Sequence, residues 1–143
     1  MTERRGAPYL FAQVGQSLDG RIATPSGDAQ AISGPDGLCH LHRCRALADA
    51  VVVGVRTALG DNSRLTVRLV PGESPARVVI DPRGRLPNDI RALADDGTRR
   101  LVVQATDTPR PAGVEVVRLP GADGWISPSA IAAALASRGL TRV

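Results

Sequence analysis

The sequence predicts an α/β domain built on a mostly parallel sheet, and three observations carry that prediction. Continuous β-branched runs stand at Asp49 to Gly54 (DAVVVG) and Arg77 to Asp81 (RVVID), the pattern of strands buried on both faces. Strand-like and helical segments alternate along the chain instead of segregating. The clearest helix, opening at Ser127, is followed at Leu140 by the start of another strand, the order of a βαβ unit.

After a polar leader (residues 1–7), Tyr9 to Val14 (YLFAQV) has the length and side chains of a buried strand, and the Gly15 to Gly20 segment breaks it. A loop rich in Gly, Ser and Pro runs from Thr24 to about Gly37. Leu38 to Ala48 reads as a helix, because Leu38, Leu41, Arg45 and Ala48 fall on one face, with Pro35 and Asp36 as first-turn start signals. The strand Asp49 to Gly54 follows, then Arg77 to Asp81, Leu101 to Gln104 and Val114 to Arg118, with a short helical candidate at Ile90 to Ala94. Ser127 with Pro128 behind it is an N-cap and first-turn proline, an alanine-rich run continues to Ser137, and Gly139 ends the helix. Leu140 to Val143 then begins a strand expected to lie inside the sheet, so the architecture is expected to lack its C-terminal strands in this chain.

A chain of 143 residues allows one domain, placed at 8–143, since this size buries roughly two thirds of the unfolded surface. All 18 basic residues are arginine, against 14 acidic ones, which excludes a Schiff-base lysine and the lysine of a P-loop. Arginine is therefore the residue expected to grip any anion. The arginines are scattered and only single Phe, Tyr and Trp residues are available to stack on bases, so the expected partner is an anionic small molecule and not nucleic acid. No apolar run approaches the roughly 18 residues that cross a bilayer, and no signal-peptide cleavage site follows the N-terminus, so no membrane partner and a cytoplasmic location are expected.

Four constellations carry candidate chemistry. Gln16 to Ala23 (QSLDGRIA) is either a simple turn around Asp19-Gly20 or a strand end opening onto a ligand. Gly54-Val55-Arg56-Thr57 ends a buried strand where a helix begins: Gly54 permits close backbone approach to a phosphate, and Arg56 and Thr57 add a charge and a hydroxyl. A steric reason alone would also place the glycine there, and the motif is not the Rossmann GxGxxG. Asp61 to Arg68 (DNSRLTVR) is either a solvated charged loop or a functional one, in which Arg68 clamps a phosphate and Asp61 anchors a sugar hydroxyl or donates a proton. In Cys39 to Cys44 (CHLHRC) only His40 and Cys44 share a helical face, so no metal site is expected.

Taken in order, these segments resemble the reductase domain of the bifunctional riboflavin-biosynthesis deaminase/reductase and its free-standing pyrimidine reductase relatives. The stretches that carry the resemblance are SLDGRIA at Ser17 to Ala23, ISG at Ile32 to Gly34, HRCRALADAVVVGVRT at His42 to Thr57, DNSRLTVR at Asp61 to Arg68, and RVVIDPRGRLP at Arg77 to Pro87.

The resemblance implies a dihydrofolate-reductase-like, three-layer α/β/α fold and NADPH-dependent reduction of the ribosyl group of a diaminopyrimidine ribosyl 5′-phosphate. It puts Gln16, Thr57 and Asp61 beside NADPH, and Arg45, Arg68 and the backbone around Leu65 at the substrate, with Asp61 as the catalytic candidate. It further implies a homodimer. Three departures stand out: Ala29 and Ala31 where some relatives carry a serine substrate contact and a tryptophan, Ser63 in place of proline, and no Glu-Gly-Gly segment. The zinc-binding deaminase domain is not in the sequence, so no deaminase activity is expected. The alternative reading is a non-catalytic or vestigial ligand-binding domain of the same fold.

Overall fold

The structure is a computed structural model and describes residues 8–25, 27 and 32–143. Its elements in chain order are α1 (Pro35–Leu47), β1 (Ala50–Gly54), α2 (Val55–Asp61), β2 (Ala76–Ile80), a 3-10 turn (Arg91–Leu93), β3 (Arg100–Gln104), β4 (Val114–Arg118), the short strands β5 (Gly121–Ala122) and β6 (Trp125–Ile126), and α3 (Pro128–Ala136). β1 to β4 form one sheet in the order β1-β2-β3-β4. Every neighbouring pair in it is parallel.

Alternate residues of these strands serve two different cores, as the period of two requires. Val78, Leu101, Val103 and Val117 face Ile131 and Leu135 of α3, together with Ile126 and Leu140. Val79 and Val102 face the opposite way, onto Val55 and Ala58 of α2, Leu65 and the Leu86–Leu93 segment. The result is helix, sheet and helix in three layers. No helix among the described residues is long and apolar enough to cross a membrane.

Helix α1 starts a turn before the expected Leu38, because Pro35 occupies its first turn with Asp36 beside it, where the fixed proline φ and a carboxylate both suit a helix N-terminus. The Ile90 to Ala94 candidate closes as a single 3-10 turn. Ser127 caps α3 by position only: its hydroxyl meets the Ser129 hydroxyl at 2.8 Å and makes no capping bond. Gly139, at φ 79°, turns the chain after α3, so that the Leu140 N–H reaches the Leu135 carbonyl at 3.0 Å. The β5–β6 hairpin escaped the sequence reading, although Asp123-Gly124 is a hairpin-turn pair with both residues at positive φ. A side chain at position 124 would lie 2.3 Å from Arg83 Nε, and Arg83 donates to the Asp123 carbonyl at 2.8 Å, so the hairpin is tied to the loop after β2.

The expected buried strand Tyr9 to Val14 is corrected. The segment makes one isolated parallel bridge, Tyr9 to Arg142, and Tyr9 and Val14 are about two thirds exposed, at 67% and 65%. Among the described residues its backbone bonds run to Thr141 and Val143 (Tyr9 N–H to Thr141 O, Phe11 N–H to Val143 O, Val143 N–H to Tyr9 O), so it lies outside the four-stranded sheet. An apolar run of six does not by itself say whether a neighbour covers it. Leu140 to Val143 forms no strand of the sheet: it makes only the isolated bridge at Arg142, whose carbonyl accepts the Asp49 and Ala50 amides at 2.8 and 3.2 Å, so the segment lies between the start of β1 and Tyr9.

Asp49 fastens this join. Its carboxylate accepts from the Thr141 and Arg142 amides, the Thr141 hydroxyl and the Arg142 guanidinium, at 2.5–3.1 Å. The Arg142 guanidinium foremost, aided by these N–H and O–H donors, holds the carboxyl well below the usual carboxylate range. A group depressed on folding stabilises the native state above its unfolded value, near pH 4, and loses that contribution as pH falls through its folded value. Asp49→Asn is therefore expected to cost about 1–3 kcal/mol at neutral pH. In thermal melts the gap between wild type and variant should narrow as pH is lowered below about 4.

Candidate functional site

A cavity of about 860 Å³ wraps the edge of β1 and opens over the carboxyl ends of β1 and β2. That is within the range of about 300–1,000 Å³ typical of ligand sites, and the carboxyl ends of parallel strands are where such sheets bind ligands. Its wall follows β1 from Ala50 to Gly54, with Leu41 and Arg45 of α1 and its C-cap Ala48 on one flank and Ile131 and Leu135 of α3 on another. The helix face read from the sequence is thus largely the cavity wall, while Leu38 stands exposed.

Polar groups gather at the mouth. Gly54 leads from β1 into α2, and nothing within 4 Å would meet a side chain there, so a ligand can approach the backbone. Arg56 and Thr57 in the first turn of α2, and Asp61 at its end, all line the cavity and are exposed to it. Asn62 ends the helix in the left-handed region at φ 40°, and its side-chain carbonyl accepts from the Arg91 N–H at 3.1 Å. Leu65 is 2% exposed yet also holds a positive φ of 57°. That conformation costs an L-residue on the order of 1–2 kcal/mol, and burial of the side chain holds it there. Leu65 is also one of the residues on the cavity wall.

Beyond Leu65 the loop folds back on α1. Arg45 donates from NH1 to the Thr66 carbonyl at 3.2 Å, and Arg68 donates to the Thr66 hydroxyl at 2.8 Å and to the same carbonyl at 3.5 Å. Burial, and then the charge of Arg68, pull the Arg45 guanidinium below its ordinary pKa. Its Nε is buried without a hydrogen-bond partner, and neither arginine forms an ion pair with a carboxylate among the described residues. Two guanidinium groups thus share the Thr66 carbonyl, each retaining donors that no carboxylate among the described residues pairs.

The structure thus brings Arg45, Gly54, Arg56, Thr57, Asp61 and Leu65 to one cavity, and joins Arg68 to it through Thr66. Gln16 is exposed and is not on the cavity wall; the Ser17 hydroxyl and Arg21 backbone beside it close a local turn. Residues 1–7, Ala29 and Ala31 lie outside the described residues. His40 and Cys44 meet at 3.6 Å across one turn of α1, and among the described residues no group of three or more His, Cys, Asp or Glu side chains could hold a metal ion.

Two contributors were missed in the sequence. Arg85, from the loop after β2, lines the cavity. His42 is 3% exposed and accepts the Arg68 N–H on Nδ1 at 2.9 Å. Its spacing of three from Arg45 on one helix face was the available signal.

The RibD C-terminal domain model matches residues 8–143. A 2,5-diamino-6-ribosylamino-4(3H)-pyrimidinone 5′-phosphate reductase of Methanothermobacter thermautotrophicus is 39% identical over 105 residues, covering 71% of this chain and 48% of that protein. The riboflavin biosynthesis protein RibD of Mycobacterium tuberculosis is 38% identical over 104 residues, covering 70% of this chain and 30% of that protein. The chain spans about half or less of the length of these curated relatives.

Among solved structures, a diaminohydroxyphosphoribosylaminopyrimidine deaminase/5-amino-6-(5-phosphoribosylamino)uracil reductase of Thermotoga maritima aligns with a TM-score of 0.78 at 31% identity, over 91% of this chain and 36% of that one. The riboflavin biosynthesis reductase Rib7 of Saccharomyces cerevisiae aligns with a TM-score of 0.80 over 100% of this chain and 64% of that one, at 21% identity, a likeness of fold alone. The α/β fold is the dihydrofolate-reductase-like one of these reductases. With a match running from residue 8 to residue 143, the chain belongs to the RibD C-terminal domain family.

Proposed function

We propose that the domain serves an NADPH-dependent reduction of a phosphoribosyl-pyrimidine in riboflavin biosynthesis, converting the ribosyl group of a diaminopyrimidine or aminouracil ribosyl 5′-phosphate to ribityl. The observation that carries this reading is the Arg45–Arg68 pair, which lacks a carboxylate partner among the described residues and of which Arg45 lines a largely apolar cavity that opens over the carboxyl ends of a parallel sheet. A phosphate is the partner such a pair fits, and the named relatives reduce or process phosphoribosyl-pyrimidines.

In this reading Arg45 and Arg68 hold the substrate phosphate and the turned backbone at Leu65 packs along the substrate. Gly54, Arg56, Thr57 and Asp61, with Gln16 from the N-terminal loop, lie beside the cofactor. NADPH supplies the hydride when bound. The chain's own residues orient the two ligands, and the apolar wall from Val51 to Val53 keeps water from the reacting face. Asp61 is the carboxylate placed to anchor a sugar hydroxyl or give a proton. The resemblance also supplies a cytoplasmic homodimer as the working state.

Thr57→Val is expected to weaken NADPH binding about fivefold, the loss of roughly one neutral hydrogen bond, in a fluorescence titration. Unchanged affinity in that variant would move the cofactor away from α2. A ligand-binding domain without turnover is the second reading, favoured by the position of Gln16 outside the cavity wall. It predicts NADPH binding with no NADPH consumption when substrate is supplied.

A further inference from the structure

We infer that His42 is a positioning residue of the anion site: its neutral imidazole holds the Arg68 backbone, and with it the Arg45–Arg68 pair, without supplying a charge that would quench that pair. The inference rests on the phosphoribosyl reading above.

The loop from Asn62 to Arg68 has no helix or strand of its own and is held by individual bonds. The Val67 N–H reaches Ser74 Oγ at 3.0 Å, and the Arg68 N–H reaches His42 Nδ1 at 2.9 Å. His42 is the only fully buried residue of α1. A ring nitrogen that accepts an N–H carries no proton, so the neutral tautomer protonated on Nε2 is the one this bond selects. The charged groups facing the ring are Arg45, from its own helix, and Arg68, from the loop packed on it. Burial first, then those two positive charges, depress the pKa of the imidazole. The ring therefore stays an acceptor at neutral pH.

The choice of acceptor matters chemically. An aspartate or glutamate could take the same N–H, but its charge would pair with the arginines and compete with a ligand phosphate. A neutral acceptor fixes the loop and leaves both guanidinium groups free of an internal counter-ion. His42 is buried and is not on the cavity wall, so its effect is on ligand affinity through Arg68.

Calorimetric titration of the whole chain with ribose 5-phosphate tests this, with thermal melting of each variant as the control for folding. His42→Asn keeps a neutral acceptor on the atom that replaces Nδ1 and is expected to bind within about threefold of wild type. His42→Asp has the same shape with a charge and is expected to bind at least about tenfold more weakly, as is His42→Leu, which has no acceptor. Equal affinity of the Asn and Asp variants, or wild-type affinity in a folded Leu variant, overturns the role of His42. Should the Leu variant fail to fold, the Asn–Asp comparison decides alone. Wild-type protein that does not bind ribose 5-phosphate overturns the phosphoribosyl reading and this inference together, whereas binding that is indifferent to the residue at 42 overturns only the inference.

Discussion

Arg110→Met is expected to destabilise the domain by about 3–5 kcal/mol, the cost of stranding one partner of a buried ion pair. Arg110 and Asp81 meet at 2.7 Å with side chains only 1% and 0% exposed. Arg110 also donates to Gln104 Oε1 at 2.8 Å and to the Leu86 carbonyl at 2.6 Å, while Asp81 accepts the Leu86 N–H at 2.7 Å. Gln104 in turn donates to the Thr106 and Thr108 carbonyls.

The network ties the loops after β2 and β3 across the carboxyl end of the sheet, and the first of them carries Arg85 to the cavity. Without Arg110 the carboxylate keeps a single donor, the Leu86 N–H on Oδ2, since its buried Oδ1 has no hydrogen-bond partner among the described residues. Urea denaturation should show a lower midpoint with an unchanged slope. The double replacement Asp81→Leu with Arg110→Met should cost less than Arg110→Met alone, because it strands no charge.

Arg45→Met is expected to act in the opposite way, sparing stability and removing affinity. Loss of a charged hydrogen-bonding group of about 1.5–3 kcal/mol corresponds to about 10–150-fold weaker binding of ribose 5-phosphate. Arg45 is held against its own solvation by burial and against Arg68 by charge, so a methionine of similar length relieves both penalties. The melting temperature should therefore stay level or rise, a sign that the arginine is kept for a ligand. A fall in stability with no loss of affinity would show instead that Arg45 serves only to bind the Thr66 carbonyl.

These two variants also mark what was legible in the sequence. The parallel strands are readable from their β-branched runs, and β1 to β4 fall within a residue of the expected bounds, although only β2 and β3 are buried along their length while β1 and β4, the outer strands of the four, are partly buried. Helix α3 is readable from its proline start and glycine stop. The Tyr9 to Val14 segment shows the limit: its composition is that of a core strand, but exposure depends on what pairs beside it, and its partners come from the far end of the chain.

The same divide runs through the site. Gly54, Arg56, Thr57, Asp61 and Leu65 were legible because one strand, one helix and one loop bring them together locally. The bond from Arg68 to His42 spans 26 residues and the pair Arg110–Asp81 spans 29, and no periodicity reports contacts of that range. Tertiary packing alone selects which of 18 arginines keep a counter-ion and which are left open to a ligand.

In the proposed function the β1-edge cavity holds a phosphoribosyl-pyrimidine and NADPH together for reduction. The most direct measurement is NADPH consumption, followed by absorbance, when purified protein is given the diaminopyrimidine ribosyl 5′-phosphate. Consumption is expected to match ribityl product one for one and to collapse in Arg45→Met. Folded protein that consumes no NADPH with this substrate, and binds neither ligand, would contradict it.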